Sequence, residues 1–202
     1  MMRIAVFASG EGTDLQALLD ACKSRRIKGQ IVWVVSGTEG SGSLRRAKGA
    51  GVDCEAVLPR TFPSPEAHDA YLSSQCRKRG IGLICLAGFM TKLQAPLLDA
   101  YAGRVLNIHP SLLPAFGGKG MYGMRVHEAV LRAGARFSGC TVHFVDALYD
   151  HGPILMQAVV PALPQDAPRD LAARVLEQEH WLYPEAVRLF AEDRLRVKDG
   201  LV

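Results

Sequence analysis

Short apolar runs alternate with amphipathic stretches through the first half of the chain. Strand-like segments fall near 3–8, 31–36, 54–58, 82–87 and 104–108, with helical periodicity near 14–24, 42–50, 65–79 and 93–100 between them. Successive parallel strands need a crossover, usually helical, so this alternation predicts an α/β fold with a doubly wound, mainly parallel, Rossmann-like sheet. After Pro110 the pattern changes. A Gly-rich loop from Phe116 to Gly123 precedes a helix near 124–133, then strand-like runs near 138–146 and 153–160 that have no helix between them. Those two are predicted to pair antiparallel. From Pro168 to Ala191, apolar residues at Leu171, Val175, Leu182, Val187 and Leu189 are interrupted by Pro184, which predicts a closing helix that is kinked or in two parts. The Pro161–Pro168 stretch reads as a loop, so residues 1–202 are expected to form one domain.

Composition narrows the class. Hydrophobic residues make up 49% and charged ones 22%, the balance of a globular chain with no disordered segment. The apolar stretches Ile31–Val35 and Ile81–Ala87 fall far short of the roughly 18 residues of a membrane span. Met1-Met2-Arg3 runs directly into a strand, which argues against a signal peptide. The five cysteines are widely spaced without a C-x-x-C pair, so no disulfide framework, zinc site or other metal is expected, and the reading is of a cytoplasmic protein with reduced thiols. The formal charge is +4, and the basic clusters Lys23-Ser24-Arg25-Arg26 and Arg77-Lys78-Arg79 fall at expected helix ends, where cations complement the dipole. Without interleaved aromatic residues they do not suggest a nucleic-acid surface.

Three segments carry candidate chemistry. Ser9-Gly10-Glu11-Gly12-Thr13-Asp14 lies between a strand and a helix, where backbone N–H groups and the helix dipole can hold an anion. The alternative is a tight turn with Thr13 or Asp14 as N-cap. In Val105-Leu106-Asn107-Ile108-His109-Pro110 a buried strand ends in two polar residues spaced by two, hence on one face, at the carboxyl end where ligands of parallel sheets sit. Tyr149-Asp150-His151-Gly152-Pro153 forms the turn between the late strands, where an aspartate can also serve a purely local role.

Taken together, Ala8-Ser9-Gly10, Leu86-Ala87-Gly88-Phe89-Met90, Leu106-Asn107-Ile108-His109-Pro110-Ser111-Leu112-Leu113-Pro114, Thr141-Val142-His143-Phe144-Val145, Asp150-x-Gly152-Pro153-Ile154 and Gln178-Glu179-His180 with Tyr183-Pro184 resemble the glycinamide ribonucleotide (GAR) formyltransferase family. This family belongs to the folate-dependent formyltransferases. The resemblance implies formyl transfer from 10-formyltetrahydrofolate, a co-substrate, to the primary amine of a small acceptor, with GAR in purine biosynthesis as the leading acceptor. It implies Asn107, His109 and Asp150 as catalytic residues; a folate slot at Phe89, Met90, Thr91, Lys92 and Leu93, with Asn107 and Asp150; and acceptor contacts from Gly10, Glu11, Gly12, Thr13, Asp14, Lys119 and Glu179. Phe89 and Met90 could instead belong to the core, and Lys119 could be a solvated loop charge. His143 is read as a packed or supporting residue. A monomer or homodimer is expected, with small molecules as its partners.

The chain also departs from the family pattern. Asp14 stands where the loop usually has Asn, Glu11 occupies the variable position, and Ser36-Gly37-Thr38 replaces a frequent Ser-Asn-Lys. Leu176 replaces a polar Gln, while Pro65 and Thr91 stand where some relatives have arginines near the folate tail, with Lys92 able to compensate for one of them. An inward carboxylate about 4 Å from an anion would oppose it by roughly 4 kcal/mol at an effective dielectric near 20. GAR therefore competes with an unphosphorylated amine acceptor. A formyltetrahydrofolate hydrolase, in which water replaces the amine, is the rival of another class.

Overall fold

The computed structural model describes residues 1–198 and 200–202. Its strands are β1 (Met2–Phe7), β2 (Gly29–Ser36), β3 (Cys54–Ala56), β4 (Leu83–Leu86), β5 (Val105–His109), β6 (Phe137–Phe144) and β7 (Ile154–Pro161). The helices are α1 (Thr13–Lys23), α2 (Gly42–Gly49), α3 (Pro65–Lys78), α4 (Ala95–Leu98), α5 (Met124–Arg132) and α6 (Pro168–Ala191). All seven strands join one sheet in the order β3-β2-β1-β4-β5-β6-β7, parallel from β3 through β5 and antiparallel for β6 and β7. This is the doubly wound sheet with antiparallel late strands that the pattern predicts.

The chain moves to one side of β1 to build β2 and β3, then returns to its other side to build β4 and β5. Such a reversal opens a crevice outside the carboxyl ends of the two central strands. The loops following β1, β4 and β5 all emerge there.

Strand residues alternate between two cores. Ile4, Val6, Leu83, Cys85 and Leu106 face α1 and α6, packing on Leu15, Leu18, Leu171 and Val175. On the opposite face Phe7, Trp33, Ile84 and Leu86 pack on Leu72 and Cys76 of α3 and on Leu97 of α4. Burial on both faces explains why the central strands read as continuous apolar runs.

Two elements differ from expectation. The helix expected over 93–100 is a single turn, Ala95–Leu98, with Pro96 in its first turn. The closing helix is continuous from Pro168 to Ala191, with Pro184 inside it and Pro184, Ala186 and Val187 buried. A proline removes one backbone N–H and crowds the preceding turn. Here the apolar face of α6 packs on both sides of that point, and this tertiary contact outweighs the local cost. Both basic clusters do sit at helix ends: Arg26 pairs with Glu185 at 3.5 Å, and Arg79 pairs with Asp53 at 3.0 Å while stacking over Trp33. Among the described residues, no helix is long and apolar enough to cross a membrane.

Candidate active site

Asn107 and His109 project from the last turn of the pleat of β5, and antiparallel pairing with β6 places His143 directly opposite Asn107 and Thr141 opposite His109. Cross-strand neighbours of this kind touch side chain to side chain. His143 Nδ1 lies 2.7 Å from the Phe144 carbonyl, which can only accept, so Nδ1 carries the hydrogen. Burial lowers the His143 pKa and keeps the ring neutral, leaving Nε2 bare. That nitrogen accepts from the Asn107 amide nitrogen at 3.1 Å. One amide hydrogen of Asn107 is thereby anchored, while Asn107 also lines the cleft.

His109 is 4% exposed and donates from Nε2 to the Phe116 carbonyl at 2.9 Å. Its Nδ1 faces Asp150 Oδ2 at 3.6 Å, and Asp150 Oδ1 lies 3.8 Å from His143 Nε2. The carboxylate therefore bridges the two imidazoles. Asp150 itself sits at φ 51 and accepts from the Gly118 backbone N–H at 2.8 Å. This fastens it to the Gly-rich loop, and Gly117 is required for the contact: a Cβ there would lie 2.4 Å from Leu113 Cδ2 and 3.2 Å from Asp150 Cβ.

The loop after β5 is held from beneath. Thr141 Oγ1 donates to Ser111 O at 2.7 Å and accepts from Leu113 N–H at 3.1 Å and from Gln157 Nε2 at 3.0 Å. Leu113-Pro114 is a cis peptide.

These groups line one end of a cleft of about 760 Å³ that runs past Phe89, Met90 and Tyr149 toward Asp14, Leu176 and Glu179. Met90 is 54% exposed and so belongs to the cleft, whereas Phe89 also packs on the Phe7 ring at 5.4 Å. Lys119 lies in the wall on the Gly-rich loop. Lys92 does not line the cleft itself; its Nζ lies 5.3 Å above the ring of Tyr149, which does. Thr91 and Leu93 do not reach the cleft wall: Thr91 lies beside Gly37, and Leu93 is buried in the core against α3 and α4. His127 of α5, not anticipated from sequence, also lines the cleft, with its pKa lowered by burial and then by His109. A larger hollow of about 1360 Å³ at the opposite ends of β1 and β2 contains none of the candidate residues.

At the start of α1 the N-cap is Gly12, at φ 76, without a side-chain cap. The alternative reading of Thr13 or Asp14 as N-cap is thus replaced. A Cβ at Gly12 would meet Ser43 Cα at 2.7 Å, so close approach to α2 selects glycine over a capping side chain. The first-turn N–H groups of α1 are left available for an anion. Gly10, Glu11, Gly12 and Thr13 do not form the wall of the cleft, and Thr13 lines a separate hollow with Gln16 and His180. Glu11 turns outward, 79% exposed and 3.7 Å from Arg45. Asp14 turns inward, where burial pushes its pKa up to about 6, and burial followed by the Asp14 charge raises Glu179 well above the usual carboxyl range.

Formyltransferases are among the known proteins similar to this chain in sequence and fold. A model described as formyl transferase matches residues 2–187. The structure is similar to glycinamide ribonucleotide transformylase 1 from Symbiobacterium toebii, with 46% identity, TM-score 0.95, and 100% of this chain and 93% of that one covered. The phosphoribosylglycinamide formyltransferase of Escherichia coli strain K12 is 39% identical over 98% of this chain and 92% of its own length. The chloroplastic phosphoribosylglycinamide formyltransferase of Arabidopsis thaliana is 40% identical, with 98% of this chain covering 68% of that longer protein. The chain therefore belongs to the formyl transferase family.

Proposed function

We propose that this protein transfers the formyl group of 10-formyltetrahydrofolate to the primary amine of GAR. The observation that carries this reading is the Asn107, His109, Asp150 cluster at one end of the cleft, with the uncapped N-terminus of α1 beyond its other end. The half-exposed Met90 and Tyr149, together with Phe89, give the cleft an apolar mouth suited to a pteridine ring.

The folate supplies an electrophilic formyl carbon. When the amine nitrogen bonds to that carbon, the formyl oxygen takes negative charge, and the free Asn107 N–H is held in advance to donate to it. His109 and Asp150 accept the proton that the attacking amine sheds, directly or through water. Breaking of the bond between the formyl carbon and folate N10 then returns a proton to N10 and releases tetrahydrofolate and the formamide. Glu11, facing solvent, leaves the anion cradle of α1 unopposed from that side.

The test is amine-dependent release of tetrahydrofolate by the purified protein with GAR. Formate release without amine would identify a hydrolase instead, and equal turnover of the dephosphorylated amine would show that the cradle does not read a phosphate.

A further inference from the structure

After β5 the chain turns back on the catalytic cluster, and residues 116–118 touch both His109 and Asp150. The Phe116 carbonyl accepts from His109 Nε2 at 2.9 Å. Two residues on, the Gly118 N–H donates to Asp150 Oδ2 at 2.8 Å, the same oxygen that faces His109 Nδ1 at 3.6 Å. A carbonyl can only accept, so the neutral ring carries its hydrogen on Nε2 and leaves Nδ1 bare opposite a carboxylate. The pair alone would favour the other tautomer, with Nδ1–H donating to the charged acceptor. The Phe116 carbonyl opposes that tautomer, and it must itself be held in place.

The conformation of Phe116 does not hold itself. Its φ is 54, a region that L side chains rarely adopt, and such a residue persists only where its surroundings fix it. Ser111 supplies the fixing group. Its fully buried hydroxyl donates to the Ala115 carbonyl at 2.7 Å, which belongs to the peptide leading into Phe116, and it lies 3.4 Å from the Phe116 carbonyl itself. Ser111 in turn is footed on β6, where its carbonyl accepts from Thr141 Oγ1 at 2.7 Å, and Thr141 is the cross-strand neighbour of His109. The hydrogen bonds thus run from His109 through Phe116, Ser111 and Thr141 back to the strand beside His109. Between the two contacts stands Gly117, packed so closely against Leu113 and Asp150 that the segment has little room to shift.

We propose that Ser111 is a positioning residue for formyl transfer. By holding the Phe116 carbonyl on His109 Nε2, it keeps the ring hydrogen off Nδ1 and leaves that nitrogen as the place where the proton shed by the amine is taken up. The amine N–H bond breaks, the Nδ1–H bond forms, and the resulting imidazolium faces the Asp150 carboxylate until the proton passes to folate N10. This rests on the proposed function.

The experiment compares the wild type with Ser111→Ala and with Ser111→Cys, which keeps nearly the size of the side chain but is a feeble donor. Long-range proton–nitrogen NMR of the imidazoles, assigned by the signals lost in His109→Asn, should find the hydrogen of the neutral His109 ring on Nε2 in the wild type and moved toward Nδ1 in both variants. Formyl transfer from 10-formyltetrahydrofolate to GAR should show kcat lowered roughly tenfold to a hundredfold in both, with the KM values for folate and GAR little changed, because the loss lies in the alignment of reacting groups. A wild-type hydrogen on Nδ1 would overturn the proposal without any variant. An unchanged tautomer in the variants, whatever their activity, would make Ser111 a purely structural residue, and a kcat equal to that of the wild type would remove its part in the reaction. Should Ser111→Ala not fold, Ser111→Cys decides. If the wild type forms no tetrahydrofolate with GAR, the proposed function falls, and the tautomers still uphold or overturn the hold of Ser111 on His109.

Discussion

At the scale of single residues, the site works by fixing hydrogens. The Phe144 carbonyl fixes the His143 tautomer and His143 fixes the Asn107 amide, whose remaining N–H is the donor proposed for the developing negative charge. Asn107→Ala should lower kcat by about 10²–10³ with little change in folate KM, because the lost bond strengthens only in the transition state. His143→Ala should lower kcat less, and steady-state kinetics of both variants compare them. Asp14 contributes a different pH effect. Its folded pKa of about 6 lies above the ordinary 3.8, so folding is favoured below pH 4 and loses this contribution as pH rises through 6. Denaturant titrations should find Asp14→Asn more stable than wild type by up to about 3 kcal/mol at pH 8 and little changed at pH 4. The shared face of Asn107 and His109 was legible in sequence because strand period alone determines it. The pairing of Asn107 with His143 was not, because it depends on the register of two strands joined by a long loop and helix. The inward turn of Asp14 and outward turn of Glu11 depended likewise on where α2 and α6 pack against α1.

At the scale of elements, loops at the carboxyl ends of the strands carry the chemistry, and buried polar residues hold them in place. Thr141 serves the loop after β5 with two hydrogen bonds and accepts a third from Gln157 of β7. Thr141→Val keeps its shape while stranding the Leu113 N–H, so stability should fall by about 1–3 kcal/mol, measurable by chemical denaturation. Gly117→Ala should displace Leu113 and Asp150 and lower kcat more than it lowers the thermal midpoint. The strands were readable as elements because both faces of the sheet are buried. Helix α6 was readable only in extent, since Pro184 signals a break locally and the apolar packing that overrides it is tertiary. The single turn of α4 was overestimated because Leu93 and Tyr101 supply apolar periodicity while lying outside it and packing in the core.

At the scale of the molecule, the sheet's reversal opens the crevice and α6 ties its two ends together. The buried Tyr183 hydroxyl lies 2.9 Å from the carbonyl of Leu86, the last residue of β4, and 3.0 Å from that of Leu106, the second residue of β5. One hydroxyl hydrogen thus faces two strand carbonyls immediately before the folate-side loop and before Asn107. One turn earlier on the same helix, Glu179 lines the cleft at the end proposed for the acceptor. Tyr183→Phe removes this link without opening a large cavity, so stability should fall by about 1–2 kcal/mol. Because the link sets the position of α6 against the sheet, the variant should also raise the KM for GAR more than that for folate. Equal changes in both constants would show that Tyr183 supports the sheet as a whole. A change confined to GAR would mean that the helix, through Glu179, transmits its position to the acceptor while the folate loop keeps its own anchor, the Asp69 carboxylate on the Gln94 N–H.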